Sequence, residues 1–266
     1  MPIELPFAVV PLVLGTVATG NEVAATNPAT HLGQFRYIGA TWKSSGASNV
    51  WVRGDFGSAK AIDFISMIGA NALPGTKIRI RLGDSQVAVD GASASYDSGA
   101  IDFISPSITR ADGLYHSHLE LPSVQTRRWW RIDITSHTGD FEVSKLIMGQ
   151  KIKPTRFYNK DFEFGIQDTG QVDINRDGVI HEIPGKILRT LQFTLGWMTT
   201  DEYETKFRPL TEAMGVRGMT FWCFDPQANA YRQSKTYFGV FKVAPFASGG
   251  IKPGNYSQEF QILSVI

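Results

Sequence analysis

The sequence predicts a mainly β protein of two domains, and two patterns support this prediction. Residues 77–82 and 130–134 alternate apolar with charged side chains, which is typical of half-buried antiparallel strands. They predict a jelly-roll β-sandwich in residues 1–150. Beyond a short connection ending at Pro154, long strands and one short helix predict a C-terminal α+β domain over residues 151–266, with the helix on a β-sheet or barrel.

The composition narrows the possible functions. A chain of 266 residues can form two domains of ordinary size. Its 26 Lys and Arg residues nearly balance 25 Asp and Glu residues, so the net charge of +1 gives no reason to expect specific nucleic-acid binding. The single cysteine, Cys223, stands in an apolar Phe-Trp-Cys-Phe segment and is predicted to be a buried thiol.

The N-terminus combines an apolar run with prolines. Residues 7–14 lack a basic flank and are interrupted by Pro11, so we expect neither a signal peptide nor membrane insertion. We instead expect an extended arm at a sheet edge, because proline cannot donate to a β-ladder. The edge could belong to this chain or to a neighbouring subunit.

The N-terminal half then offers a series of predicted strands. Residues 50–52 and 61–68 are joined through Arg53-Gly54-Asp55, whose glycine we interpret as turn chemistry rather than as part of an integrin motif. Residues 71–75 turn the chain into the strand at 77–82. The last two strands are predicted at residues 127–134 and 142–149.

This order resembles the discoidin-like, galactose-binding-like jelly roll. The likeness covers residues 40–150 and depends on the Ile-Asp-Phe-Ile strand from Ile62, the Arg-Trp-Trp-Arg-Ile-Asp-Ile strand from Arg128 and the closing Val-Ser-Lys-Leu-Ile-Met-Gly segment from Val143. Members of that family bind glycans, lipids or proteins through loops at one end of the sandwich. The resemblance therefore implies a binding function for this half.

Strand alternation selects candidate interface residues. If Trp130 faces the core, Trp129 and its neighbour Arg131 face outward. An outward Trp near arginines is the combination enriched at interfaces, although a loop of the same domain could also cover it. Lys77, Arg79 and Arg81 form an outward basic row on the predicted strand at 77–82, either on a solvated face or opposite an acidic patch of a neighbouring subunit. The candidate interface residues are Arg79, Arg81, Arg127, Trp129 and Arg131.

The C-terminal half contains a partial calcium-loop pattern. Asp173, Asn175 and Asp177 occupy the first, third and fifth positions of an EF-hand loop, and Gly178 the sixth. The twelfth position is Pro184 where a bidentate Glu is required. A β-hairpin over residues 171–183 explains the same residues, so the three oxygen-bearing side chains are only a weak candidate for a metal site and no cofactor is expected.

A strand, a helix and three further strands complete the chain. Leu191, Phe193, Leu195 and Trp197 alternate on one predicted strand face. Residues 199–202 predict a capping box, and a helix follows until Gly215, bent or divided at Pro209. Return strands are predicted at 219–224, 236–243 and 256–266, the last as an exposed edge.

This succession resembles the tail-tube-like domain of distal tail and tail-tip proteins of long-tailed bacteriophages, over residues 155–266. The residues that carry it are the strand at 191–197, the helix at 201–214 and the aromatic strands at 220–226 and 237–243. In that family such domains form rings. The resemblance implies a virion protein assembled in the host cytoplasm, a ring of copies of itself, a hexamer or a trimer, and contacts with tail-tube and baseplate proteins.

The sequence gives little support to catalysis. His116 and His118 could share a strand face, but no third ligand at metal-site spacing is evident, and a surface hairpin end explains them. No nucleophile elbow or phosphate-binding glycine loop occurs. We therefore expect a non-enzymatic tail-tip adaptor, the alternative being a carbohydrate-binding protein whose jelly roll recognises a cell-surface glycan.

Overall fold

The computed structural model describes residues 4–22, 25–249 and 252–266, and it confirms the predicted mainly β fold class. The three sheets of the described residues are antiparallel, and none of them closes into a barrel. Two compact units are formed. The N-terminal unit comprises residues 9–151 and 227–233, and the C-terminal unit comprises the described residues 4–8, 152–226 and 234–266.

Eighteen strands lie in the described part of the chain. They are β1 Phe7–Val9, β2 Thr16–Thr19, β3 Trp42–Lys43, β4 Val50–Ala70, β5 Lys77–Gly83, β6 Tyr96–Asp97, β7 Ile101–Asp102, β8 Leu119–Thr135, β9 Glu142–Gly149, β10 Lys151–Ile152, β11 Glu163–Asp168, β12 Gln171–Ile174, β13 Ile180–Ile183, β14 Ile187–Thr199, β15 Thr220–Cys223, β16 Thr236–Phe241, β17 Ala247–Gly249 and β18 Asn255–Ser264. The helical segments are a 3-10 turn at Ala29–Gly33, α1 Gln86–Asp90, α2 Thr200–Glu202, a π-turn at Tyr203–Phe207 and α3 Arg208–Met214.

In the N-terminal unit the strands follow the order β3-β9-β4-β8-β5-β6, with β2 beside β4 and β7 beside β5. Trp130, Ile132 and Ile134 of β8 are buried, at 0–2% exposure. Their neighbours Arg131 and Asp133 are partly exposed on the other face. The alternation of the sequence therefore predicts the two faces of this strand correctly.

The predicted turn at Arg53-Gly54-Asp55 is wrong, because β4 runs through it as one strand of 21 residues. The ladder to β8 is irregular between Asp55 and Lys60 and again between Ile62 and Phe64. Gly54 is needed for packing: a Cβ atom there would lie 2.3 Å from the Trp130 ring. Arg53 pairs with Asp90, and Asp55 accepts two hydrogen bonds from Arg128, so intramolecular contacts occupy both charged ends of the tripeptide.

In the C-terminal unit the strand order is β10-β1-β15-β16-β18-β14-β11. The prediction of an exposed edge at the C-terminus is wrong, because β18 lies between β16 and β14 and also pairs with β17. The N-terminal arm was predicted at an edge as well. Instead β1 is flanked by β10 and β15, and Phe7, Ala8 and Val9 are fully buried.

The core of this unit is rich in aromatic residues. Phe260 of β18 stacks on Phe193 of β14 at 5.5 Å between ring centroids and lies 5.1 Å from Trp222 of β15. The thiol of Cys223 is buried, as predicted. These rings fill the sheet face that the helical segments cover through Phe207 and Leu210.

A β-bulge changes the predicted alternation at the end of β14. Leu195 pairs with Gln258 and Met198 with Tyr256, so Gly196 and Trp197 together oppose Ser257. Met198 therefore takes the buried position, while Trp197 is 43% exposed and has a left-handed backbone with φ of 64°. The prediction that Trp197 continues the buried row of Leu191, Phe193 and Leu195 is wrong for this reason.

The helix begins at the predicted cap. The Thr199 hydroxyl accepts a hydrogen bond from the Glu202 N–H at 3.2 Å, and the Glu202 carboxylate accepts from both the N–H and the hydroxyl of Thr155. The π-turn lies directly before Pro209, which has no N–H to donate to the preceding turn. The helix is thus divided near Pro209, as predicted, and it ends at Gly215.

We predict that Thr199→Ala lowers the free energy of unfolding by about 1 kcal/mol, because the first turn loses the side-chain acceptor of its cap. Denaturant unfolding followed by circular dichroism measures this effect. Thr205→Ala is the control, since its hydroxyl only donates to the Asp201 carbonyl within the helix. Equal losses in both variants would show that the cap does not contribute.

Candidate functional site

The predicted basic row on β5 pairs with acidic side chains of its own unit. Arg79 donates to Asp97, and Lys77 donates to Asp102 at 2.7 Å. Arg81 donates to Asp133 at 2.7 Å and to the backbone carbonyl of Gly91 at 2.9 Å. The prediction that the basic row is solvated is wrong for Arg81. This side chain is only 6% exposed, because the segment that follows α1 covers it.

Arg131 belongs to the same network as Arg81. It donates to Asp90 at 2.7 Å and to Asp133 at 2.8–3.0 Å, and its guanidinium lies 4.4 Å from the centre of the Trp51 ring. Burial alone would lower the pKa of Arg131, but the hydrogen bonds to the two carboxylates raise that pKa above its ordinary value. The network stabilises one sheet face and leaves Arg131 little freedom to bind a ligand.

Trp129 and Arg127 lie apart from this network. Arg127 pairs with Asp84 at 3.2 Å. Trp129 is partly exposed on β8, and the cation beside its ring is Arg128, at 5.9 Å from the ring centre. The structure thus brings Arg79, Arg81 and Arg131 together and places the Trp129 ring beside an arginine that the sequence analysis did not select.

The predicted surface position of His116 and His118 is wrong. His116 is 5% exposed, and its Nδ1 accepts from the Gly69 N–H at 3.0 Å. His118 Nε2 lies 3.1 Å from Glu120, which also binds Lys151 at 2.6 Å. Burial lowers the pKa of His118. Burial alone would raise the pKa of Glu120, but hydrogen bonds from His118 and Lys151 outweigh it and keep that pKa well below its ordinary value.

The Asp173 segment forms the predicted hairpin of β12 and β13, with Asp173 opposite His181. The Asn175 side chain accepts hydrogen bonds from the N–H groups of Asp177 and Val179, which shapes the turn. Within the described residues, no group of three or more His, Cys, Asp or Glu side chains is placed to hold a metal ion. No helix among those residues is long and apolar enough to cross a membrane.

The most unusual surface of the C-terminal unit is the segment of residues 163–187, which we name the arm. It comprises β11, the β12–β13 hairpin and the first residue of β14. Every residue from 171 to 187 is exposed. β11 is the last strand of its sheet, so one side of its backbone is unpaired in the described ladder.

The arm carries large apolar side chains that its own unit leaves largely exposed, although Phe164 packs against Phe162 and Phe224. Cross-strand pairing places Ile174 opposite Ile180 and Val172 opposite Glu182 on one face of the hairpin. Phe164 of β11 lies opposite the buried Leu191 of β14. Ile166 lies on the same face of β11 as Phe164. The exposed fractions are 49% for Phe164, 69% for Ile166, 70% for Val172, 63% for Ile174, 63% for Ile180, 67% for Ile183 and 64% for Ile187.

Such a surface is costly for an isolated chain. Contiguous apolar patches on soluble monomers are uncommon and mark interaction sites, and an unpaired strand edge is a template for pairing with another chain. A two-stranded hairpin is also only marginally stable alone in water. The arm is therefore the best candidate for a functional surface in the C-terminal unit.

Comparison with known proteins gives limited likenesses. No protein-family model matches the sequence, and no curated protein matches it. A fucose-binding module of Streptococcus pneumoniae is similar with a TM-score of 0.40 and 7% identity, over 53% of this chain and 95% of the module. The lectin domain of lectinolysin complexed with Lewis B antigen has a TM-score of 0.36 and 9% identity, over 51% of this chain and 92% of the domain.

A third similar structure is that of SpGH29, with a TM-score of 0.39 and 17% identity. The match covers 54% of this chain but only 28% of SpGH29. At these TM-scores and identities, none of the three structures assigns a ligand or an activity to this chain.

We predict that Asp133→Asn lowers the free energy of unfolding by about 3 kcal/mol, because Arg81 and Arg131 would lose the carboxylate they share while remaining largely buried. Urea unfolding followed by tryptophan fluorescence measures this change in the free energy of unfolding. The matched control is Asp102→Asn, whose pair with Lys77 is 37–58% exposed and contributes less than about 1 kcal/mol. A loss no larger than that of the control would contradict a stabilising role for the network.

Proposed function

We propose that this chain is a non-enzymatic structural subunit that assembles with copies of itself through the arm. The observation that carries the proposal is the run of exposed apolar side chains along residues 163–187, beside an unpaired strand edge. Burial of this surface against another copy would remove its apolar area from water and pair the free backbone groups of β11. A heterologous contact of this kind closes into a ring under cyclic symmetry.

The setting that we propose for this assembly is the tail tip or baseplate of a long-tailed bacteriophage, where the subunit would connect the tail tube to the host-recognition parts. The strand, helix and aromatic strand order of residues 155–266 supports this setting by its resemblance to distal tail proteins. In that setting the partners are copies of the chain in a hexameric or trimeric ring, together with tail-tube and baseplate proteins of the virion.

Glycan binding by the N-terminal unit is the second candidate function. Trp129 favours it, because a partly exposed indole beside the Arg128 guanidinium offers both an aromatic face and hydrogen-bond donors to a sugar. The named partners of similar structures, fucose and Lewis B antigen, indicate the class of ligand to try first.

We predict that the wild-type protein is a multimer and that the pair Ile174→Lys with Ile180→Glu converts it to monomers. The two substitutions remove the apolar face of the hairpin but leave an attractive cross-strand charge pair, so the hairpin itself should persist. Mass photometry or light scattering after gel filtration measures the mass, and circular dichroism verifies the fold.

The matched control is Asp173→Lys with His181→Glu, which places the same charges at the neighbouring cross-strand pair on the opposite face. This control should keep the multimer mass. A monomeric wild-type protein at micromolar concentration, or an unchanged mass in the Ile174 and Ile180 variant, would refute assembly through the arm.

We predict that Trp129→Ala keeps the fold and weakens either assembly or glycan binding, because the ring is partly exposed and its removal leaves the buried Trp130 in place. Thermal unfolding, solution mass and binding to fucosylated oligosaccharides are measured on the same sample. A variant that binds and assembles like the wild type would remove Trp129 from the interface candidates.

A further inference from the structure

A groove of about 300 Å³ lies on the outer face of the C-terminal sheet, and no arm residue lines it. Its floor comes from β14 and β18, where Thr194 pairs with Glu259. Its wall is the segment between β16 and β17. The lining residues used in the argument are Val243, Phe246, Ser248, Ser257, Glu259 and Gln261.

The floor is outward-facing because of strand alternation. Gln258, Phe260 and Ile262 of β18 are buried, so the intervening Ser257, Glu259 and Gln261 point to the opposite face. The Gln261 amide donates to Glu259 Oε1 at 2.8 Å, which holds the carboxylate in place and lets Oε2 accept from a ligand. Hydroxyl groups of Ser248 and Ser257, which are opposite each other in the ladder, complete a polar surface.

Exposed aromatic rings accompany this polar floor. Phe246 in the wall is 75% exposed. Trp197 is 43% exposed and occupies the bulge opposite Ser257, with a left-handed backbone that is rare for a large side chain. Of these two rings, Phe246 lines the groove. A large exposed ring in a groove wall is typical of ligand sites, in which an apolar face supplies contact area and a few polar groups fix orientation.

The charge of the groove restricts the class of ligand. Glu259 is the single charged side chain among the eight described lining residues. A phosphate or an acidic sugar would therefore meet a carboxylate without a compensating cation, whereas an uncharged polyol can donate hydroxyl protons to that carboxylate. A peptide would find only a small apolar area here.

From this combination we propose that the groove binds an uncharged saccharide, with a sugar face on Phe246 and sugar hydroxyls donating to Glu259. All residues that line the site belong to the C-terminal unit, and none of them is an arm residue. The site would therefore give an assembled ring one glycan site per copy in addition to its assembly contacts.

The test uses the full-length protein and a printed panel of neutral oligosaccharides built from glucose, galactose, fucose and N-acetylglucosamine, with sialylated and phosphorylated sugars as the acidic set. Titration calorimetry follows on the best neutral sugar. Phe246→Ala and Glu259→Gln should each weaken binding by about tenfold or more, because they remove the stacking face and the charged acceptor. The controls are Tyr37→Ala, another exposed aromatic at 69% exposure, and Glu212→Gln, an exposed carboxylate on α3 outside the groove.

Selective loss in the two groove variants, with unchanged solution mass, would support the proposal. Three results would overturn it: no binding to any neutral sugar, binding that only Trp129→Ala removes, or a changed multimer mass in Phe246→Ala. The third would identify the groove as a contact between subunits. Because the arm variants change mass and the groove variants should not, failure of this site is distinguishable from failure of the assembly proposal.

Discussion

The pairing of β14 with β18 is the constraint on which the C-terminal unit depends. It is a ladder from Arg189 opposite Ser264 to Thr199 opposite Asn255, and it brings Phe193 against Phe260 at the centre of the aromatic core. It also accounts for the arm. Since β18 ends at Ser264, the first residues of β14 extend past it and have only β11 as partner. The exposed segment is thus a continuation of β14 and β11, the last two strands of the sheet, rather than an unrelated loop.

Local patterns of the sequence predict much of the fold. The faces of β8, the Thr199 cap, the division of the helix at Pro209 and the β12–β13 hairpin each depend on neighbouring residues, whose spacing is visible in the chain. The wrong predictions depend on distant residues. The central place of β18, the continuity of β4 past Gly54 and the bulge at Trp197 follow from partners more than twenty residues away, and no local pattern encodes them.

The sequence is similarly limited in predicting which surfaces are available to a partner. The alternation of Val172 and Ile174 on the hairpin is the same as that of a half-buried strand, so the sequence predicts its structure but not its exposure. The arginines of β5 and β8 are the opposite case. Strand alternation selects Arg81 and Arg131 as interface candidates because it places them outward. Carboxylates of their own unit pair with them instead, Asp133 with both and Asp90 with Arg131. Whether a charged row is available to a partner depends on which carboxylates the fold brings to it.

The buried thiol of Cys223 has a practical consequence for study of this protein. Because it is the one cysteine of the sequence and has no exposed surface, a reporter attached by maleimide chemistry would leave it untouched in the folded protein. A cysteine introduced at the turn that ends in Gly178 would then be labelled selectively. A spin label or fluorophore at that point would report on the surroundings of the hairpin tip without any background from the parent chain.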